Sequence, residues 1–312
     1  MIHCIKKTII ILFIFLAIKS SAQQDPLFTQ YAYNKLAINP AYAGSGGRFS
    51  ADLISRFQWV GIKGAPRTFT FDAHTPLRNR HIGLGFYTYR DELGPSVDYG
   101  AMAAFSYRIL FSATTLCFGI QGGFKYMDIN WEILNPKDAG DLVLSSEVNN
   151  RMVPDVDFGI YYYGNRFYAG LSVKHLLQNQ IVVSSAAPDD KTSFTKLRRN
   201  YYLIAGGAIP FSANLEFIPS MLLKYIRNAP IQADLNAMFL INNRFTLGIG
   251  YRTKNAVGLL VGINIGGGFS IGYSYDIWFN SLKSYNSGSH EIRLGYEFDL
   301  FHKERMLTPR FF

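Results

Sequence analysis

The sequence predicts an all-β protein, a transmembrane antiparallel β-barrel of about 14 strands that follows a cleaved leader and a short N-terminal segment. Three observations lead there. Segments of about ten residues alternate apolar and polar residues, the length a tilted membrane strand needs. The connections between them sort by parity, with "LRNR", "LFSA", "GN", "PFSAN", "NN" and "GGG" at one end and all the long ones at the other, beside two short exceptions near "NAP" and "TKN". The chain also opens on an export signal.

That signal consists of Lys6 and Lys7, the apolar run "TIIILFIFLAI" over 8–18, and Ser20 and Ala22 spaced for a signal peptidase. The run is shorter than the ~20 residues of a spanning helix, so cleavage after Ala22 is expected rather than an anchor. Cleavage removes Lys6, Lys7 and Lys19, lowering the formal charge from +9 to +6. Such a surplus does not make a nucleic-acid binder. Cys4 leaves with the leader, and Cys117 alone cannot form an intramolecular disulfide. It is expected to pack inside as a small unreactive side chain.

The expected strands cover 48–58, 67–76, 81–90, 99–109, 114–130, 156–163, 166–175, 199–208, 214–227, 231–241, 244–252, 256–265, 269–278 and 289–300. "EIRLGYEFDL" (291–300) puts Ile292, Leu294, Tyr296, Phe298 and Leu300 on one face, and "FSIGYSYDI" does the same with Phe269, Ile271, Tyr273, Tyr275 and Ile277. "NYYLIAGGA" fits either register. The uncharged stretch 256–275 is a hairpin rather than a helix: its period is two, and Gly258, Gly262 and Gly266–Gly268 would each cost a helix about 1 kcal/mol. Pro219 interrupts a strand and is assigned to a bulge.

Alternation alone does not say which face is dry. Two stacked sheets in a secreted soluble protein would bury the apolar face, whereas a barrel in lipid turns it outward. Export, even strand length, loop parity and the aromatic content (20 Tyr, 25 Phe, 15% aromatic overall) favour the outward answer. The expected long loops are 59–66, 91–98, 131–155, 176–198 and 279–288. Placing them outside puts both termini in the periplasm.

No catalytic pattern emerges. His3, His74, His81, His175, His290 and His302 show no metal-ligand spacing, and His74 and His81 flank a turn as solvated residues. There is no GxSxG and no phosphate loop. Asp138, Asp141, Glu147 and Asp155 lack the glycine-punctuated calcium pattern and read as a solvated outer loop. Arg56, Lys125 and Lys224 share the polar face, and inward charges such as Glu291, Arg293, Glu297 and Asp299 are expected to pair across strands. No cofactor and no metal is expected.

The segment 23–45, "QQDPLFTQYAYNKLAINPAYAGS", is not strand-like. It resembles the opening signature of the PorP/SprF family of type IX secretion, carried by Asp25, Pro26, Phe28, Thr29, Gln30, Tyr31, Asn34, Asn39, Pro40, Ala41, Tyr42, Ala43 and Gly44. "DELGP" (91–95), "GLSVKHLL" (170–177), "GYSYDI" (272–277) and "SHEIRLGYEF" (289–298) extend the likeness along the mature chain. The chain is therefore expected to divide into a leader over 1–22, a family segment over 23–46, an outer-membrane barrel over 47–301 and a periplasmic tail over 302–312, and the resemblance implies a single such barrel. It also implies a non-enzymatic component that exports or anchors a secreted partner, an adhesin-like cargo with a type IX sorting domain, in some members for gliding motility. Other secretion-system subunits and outer-membrane lipid are further implied partners. The family segment either plugs the lumen or extends into the periplasm. Two other functions compete: a small-solute channel, and a lipid-active barrel enzyme, which lacks a triad.

Overall fold

The computed structural model describes residues 25–130, 147–149, 152–184 and 191–300. The strands are β1 (Phe49–Phe57), β2 (Arg67–Pro76), β3 (Ile82–Leu93), β4 (Ser96–Leu110), β5 (Thr114–Ile129), β6 (Glu147–Asn149), β7 (Met152–Gly164), β8 (Phe167–Lys174) and β9 (Gln180–Ser184). They continue with β10 (Lys191–Lys196), β11 (Asn200–Gly207), β12 (Ile209–Ser212), β13 (Leu215–Ile226), β14 (Gln232–Ile241), β15 (Phe245–Arg252), β16 (Ala256–Gly266), β17 (Phe269–Trp278) and β18 (Ser289–Phe298). Fifteen of them form one antiparallel wall of fourteen staves, β11 and β12 being two parts of one, and each expected strand has its counterpart there. Pairing of β1 with β18 and of β11 with β13 leaves the ring without an edge. Hydrocarbon offers no hydrogen-bond partner for an open edge, so closure is what lets this sheet sit in lipid.

The dry face points outward. Leu53, Phe71, Phe105, Ile120, Leu235, Val261, Tyr273 and Ile292 are exposed on the outside, while Asp52, Arg56, Asp72, Asp157, Asp276, Glu291 and Arg293 are buried inside. The ambiguous "NYYLIAGGA" resolves with Asn200, Tyr202 and Ile204 inward. Cys117 is buried, as expected.

Aromatic rings gather near both ends of the strands. Phe211 stacks on Phe217 at the short-turn end, where Phe269 also meets Tyr296, while Tyr201 meets Tyr225 and Tyr251 meets Phe279 at the long-loop end. Rings placed this way suit the two interfaces of a bilayer.

Three expectations change. Pro219 makes no bulge: it stays in register opposite Ala237. The ladder on its other side breaks instead, between Gly206↔Ser220 and Ile209↔Phe217, because proline has no N–H to donate. The Ala208 N–H left beside that break donates to the Arg166 carbonyl at 2.9 Å. Second, 91–98 is no long loop, since β3 and β4 stay paired to Leu93↔Ser96. Charged residues there do not stop a ladder that has left the lipid. Third, 176–198 holds β9 and β10, which with β6 make a separate three-stranded sheet. Buried Val153, Ile181 and Leu197, with Met127 and Ile129, pack this sheet against the long-loop ends of β5 and β7.

The leader (1–22) and the tail (302–312) lie outside the described residues, as do Asp138 and Asp141. Residue 261 sits midway along β16 and faces out. Val261→Arg is expected to lower stability by about 2–4 kcal/mol, read by denaturant unfolding in liposomes.

Candidate functional site: a segment threaded through the lumen

Residues 25–45 run lengthwise through the barrel, and nearly all are buried. They carry every residue of the family signature. The path begins at the long-loop end, where Asp25 accepts from His175 Nε2 (2.9 Å), Asn200 Nδ2 (2.5 Å) and the Tyr202 hydroxyl (2.9 Å), with Lys174 Nζ at 3.9 Å. His175 also meets Asp155 through Nδ1 at 2.5 Å, and its N–H donates to Asp157 at 2.8 Å. Two sequence readings are therefore corrected: Asp155 is a buried member of β7 rather than a solvated loop acid, and His175 joins three carboxylates. Proximity across β7, β8 and β11 was not readable from spacing.

Asp155, Asp157 and His175 stand close enough to share a cation. Each of their ligand atoms already has a protein partner, with Val156 N–H and Gln121 Nε2 taking the remaining carboxylate oxygens. Histidine joined directly to two carboxylates is an ion-paired anchor. Burial alone would lower the His175 pKa; the Asp25 and Asp155 carboxylates overcome this and push it up to about 9. Burial likewise opposes the Asp25 charge, but Lys174 and His175 hold its pKa well below the carboxylate range.

Below this anchor, Thr29 is held by four strands. Its N–H donates to Glu291 (2.9 Å), its carbonyl accepts from Asn236 (3.0 Å), and its hydroxyl donates to Asp276 (2.8 Å) while accepting from Arg56 (3.1 Å). Arg56 closes the network on Asp276 (2.6 Å) and Glu291 (2.8 Å). Gln30 N–H adds a second bond to Glu291 (2.8 Å), and Arg252 donates to the Phe28 carbonyl (3.1 Å) while pairing with Asp234 (2.9 Å). The expected pairing of inward charges is seen here, and again at Arg293 with Asp52 and Lys125 with Asp98. What spacing did not show is that the pairs also grip a third chain segment.

The middle of the segment fits an apolar part of the interior. Phe28, Tyr31, Ala32, Ile38 and Ala41 pack with inward Ile204, Ile218, Met238, Leu240 and Leu260. The Tyr31 hydroxyl reaches Ser220 Oγ and the Asp234 carbonyl, each at 3.1 Å. Lys35 lies over the rings of Tyr42 (5.1 Å) and Tyr168 (5.0 Å).

Asn39 starts a one-turn 3-10 helix, Pro40–Tyr42, by accepting from the Ala41 N–H (3.0 Å). Its amide donates to the wall carbonyls of Ile160 (2.9 Å) and Leu171 (3.2 Å). This contact needs bare backbone: a Cβ on Gly159 would lie 2.0 Å from Asn39 Oδ1, and one on Gly119 would lie 2.1 Å from the Ala41 nitrogen. Lower still, Arg108 donates to the Gly44 carbonyl (2.7 Å) and Ser106 to that of Ala41 (3.1 Å). Gly44 turns toward β1 at φ +73°, with no room for a Cβ beside Gly83.

His74 is buried rather than solvated: it faces inward, accepts from the Gly44 N–H at 3.3 Å and meets the edge of Tyr42. His81 is exposed, as expected. The first described residue, Asp25, thus lies at the end of the barrel opposite Phe298, whereas the sequence reading put both termini on one side. The termini themselves lie outside the described residues.

The fold and this interior define an outer-membrane β-barrel filled by its own N-terminal segment. Residues 20–296 match the family model described as type IX secretion system membrane protein PorP/SprF, and the chain belongs to that family. No curated protein matches it in sequence. Among solved structures, the CymD monoaromatic hydrocarbon channel is 10% identical, with TM-score 0.51 over 93% of this chain and 97% of that one. The Acinetobacter baumannii outer membrane protein Omp33 is 9% identical, with TM-score 0.41 over 82% of this chain and 100% of that one. At such identity the likeness to CymD concerns the fold alone.

Thr29→Val removes the hydroxyl between Arg56 and Asp276. It is expected to loosen the segment by about 1–3 kcal/mol, seen as faster amide exchange over 25–45 with the barrel still closed. The His175 contribution is complete below its ordinary pKa of 6.5 and is lost as pH rises through about 9. Protease cleavage near residue 25 is therefore expected to accelerate above that pH, and less so in His175→Ala.

Proposed function

We propose that this component of type IX secretion is a non-enzymatic docking barrel. It helps export a secreted, adhesin-like partner with a type IX sorting domain, or retains it at the surface, and its lumen conducts no solute. One observation carries this reading: side chains from at least eight strands bond to the threaded segment. Three cavities along it among the described residues, about 20, 10 and 30 Å³, hold a water or so each. A small-solute channel, the competing function, needs a continuous polar path instead.

In this reading the long-loop end faces outward, the carboxyl end of the barrel lies toward the periplasm, and Asp25 sits beneath the outer mouth. The β6–β9–β10 sheet, buttressed on β5 and β7, offers a firm platform among the outer loops where a partner is chosen. Some partners of this kind would serve gliding motility.

Affinity isolation from detergent-solubilised outer membranes is expected to recover a large secreted chain or other secretion subunits. Recovery of the barrel alone would refute docking. In planar bilayers the intact protein is expected to stay closed and a variant lacking residues 25–44 to conduct. Steady conductance by the intact chain would return the channel reading.

A further inference from the structure

Outside the lumen, one cavity lies on the lipid-facing side of the wall at the long-loop rim. The 58–66 connection arches over it and is pinned on both flanks. Val60 N–H donates to the Gly288 carbonyl (2.9 Å), Ser287 N–H to that of Val60 (2.7 Å) and Gly94 N–H to that of Gly64 (2.9 Å). Trp59 N–H donates to Ser289 Oγ (3.0 Å) and its ring meets Trp278 edge-on at 5.4 Å. The arch is therefore a built roof.

Beneath it is a cavity of about 500 Å³ lined by Phe57, Ile62, Pro66, Arg67, Glu92 and His290, among others. Four of these are outward positions of β1, β2, β3 and β18, which adjoin in the sheet. The wall below continues as Leu53, Phe69, Phe71 and Ile292, an apolar surface for acyl chains.

The charge at this rim is net positive, with Glu92 standing directly across from Arg67 on the neighbouring strand. Arg67 and Lys63 are exposed, and neither side chain has an ion-pair or hydrogen-bond partner among the described residues. Glu92, the carboxylate lining the cavity, is already paired with Arg90. Free cations above an apolar wall match an amphiphile with an anionic head. A guanidinium holds phosphate oxygens in pairs, and a lysine adds a point charge.

We propose that this cavity binds the phosphorylated headgroup of an outer-leaflet lipid, with phosphate on Arg67 of its lining, Lys63 of the overlying connection adding positive charge to the rim, and acyl chains along Phe69, Phe71 and Ile292. The assignment to the outer leaflet rests on the orientation proposed above; the phosphate chemistry does not. The rim would then fix the height and rotation of the barrel relative to the lipid leaflet.

The test is native mass spectrometry of the full chain released from nanodiscs containing the phosphorylated glycolipid of the outer leaflet. The intact chain should retain it, and the pair Lys63→Glu, Arg67→Glu should retain at least about tenfold less. Arg227→Glu, elsewhere on the same rim, should retain it in full. Heat-modifiable gel migration verifies that each barrel is folded, and Arg67→Gln serves if the double variant is not. Equal retention by the altered chain, or equal retention of dephosphorylated glycolipid, would overturn the proposal. Arg67-dependent retention of phosphatidylglycerol but not of the glycolipid would overturn the outer-leaflet source. No partner is present, so none of these results depends on cargo docking.

Discussion

The structure depends on the need to satisfy every backbone polar group inside hydrocarbon. Fourteen strands meet it by closing, and closure creates an interior that must then be filled. Pro219 shows how tightly the rule binds. One residue without an N–H divides what would be a single strand into β11 and β12, and a carbonyl from the neighbouring turn takes the stranded Ala208 N–H. The register on both sides of the break is unchanged, so the defect stays local.

Filling the interior poses an electrostatic problem. Arg56, Arg252, Arg293, Asp52, Asp234, Asp276 and Glu291 are all buried there. A buried charge is costly unless paired and further hydrogen-bonded. Pairing across strands supplies the first requirement. The threaded segment supplies much of the second, since its N–H and carbonyl groups, which have no ladder of their own, take up the remaining valences. Wall and segment thus solve each other's problem: the charges need bonding partners, and an irregular chain inside a membrane needs its backbone satisfied.

The fold shared with hydrocarbon channels does not transfer their function. A barrel wall can enclose a conduit or a packed core, and what occupies the lumen decides which. Here tyrosines, an asparagine-capped turn and ion-paired carboxylates occupy it. The parts of the wall left free of the threaded segment are the long loops and the rim.

Much of this was legible in the sequence. A period of two with charged residues on alternate positions fixes which side chains share a face, as in Ile292, Leu294 and Tyr296 against Glu291 and Arg293, because the pleat leaves no other arrangement. The expected export signal and the sorting of loop lengths then point to lipid as the dry side. The threaded segment was visible only as an unusual motif. Its partners lie far away in the chain, Glu291 being 262 residues from Thr29, and no local pattern encodes such a contact. Nothing local in the sequence sets Gly119 and Gly159 apart from other strand glycines, and only the fold stands Ala41 and Asn39 against them. His74 and Asp155 looked solvated because they neighbour turns and loops, yet inward alternation buries them. Sequence alone therefore determined the wall and its two faces, through local geometry. Only the tertiary structure decided what fills the hollow and in which direction it runs, because that depends on surfaces that meet only after the ring has closed.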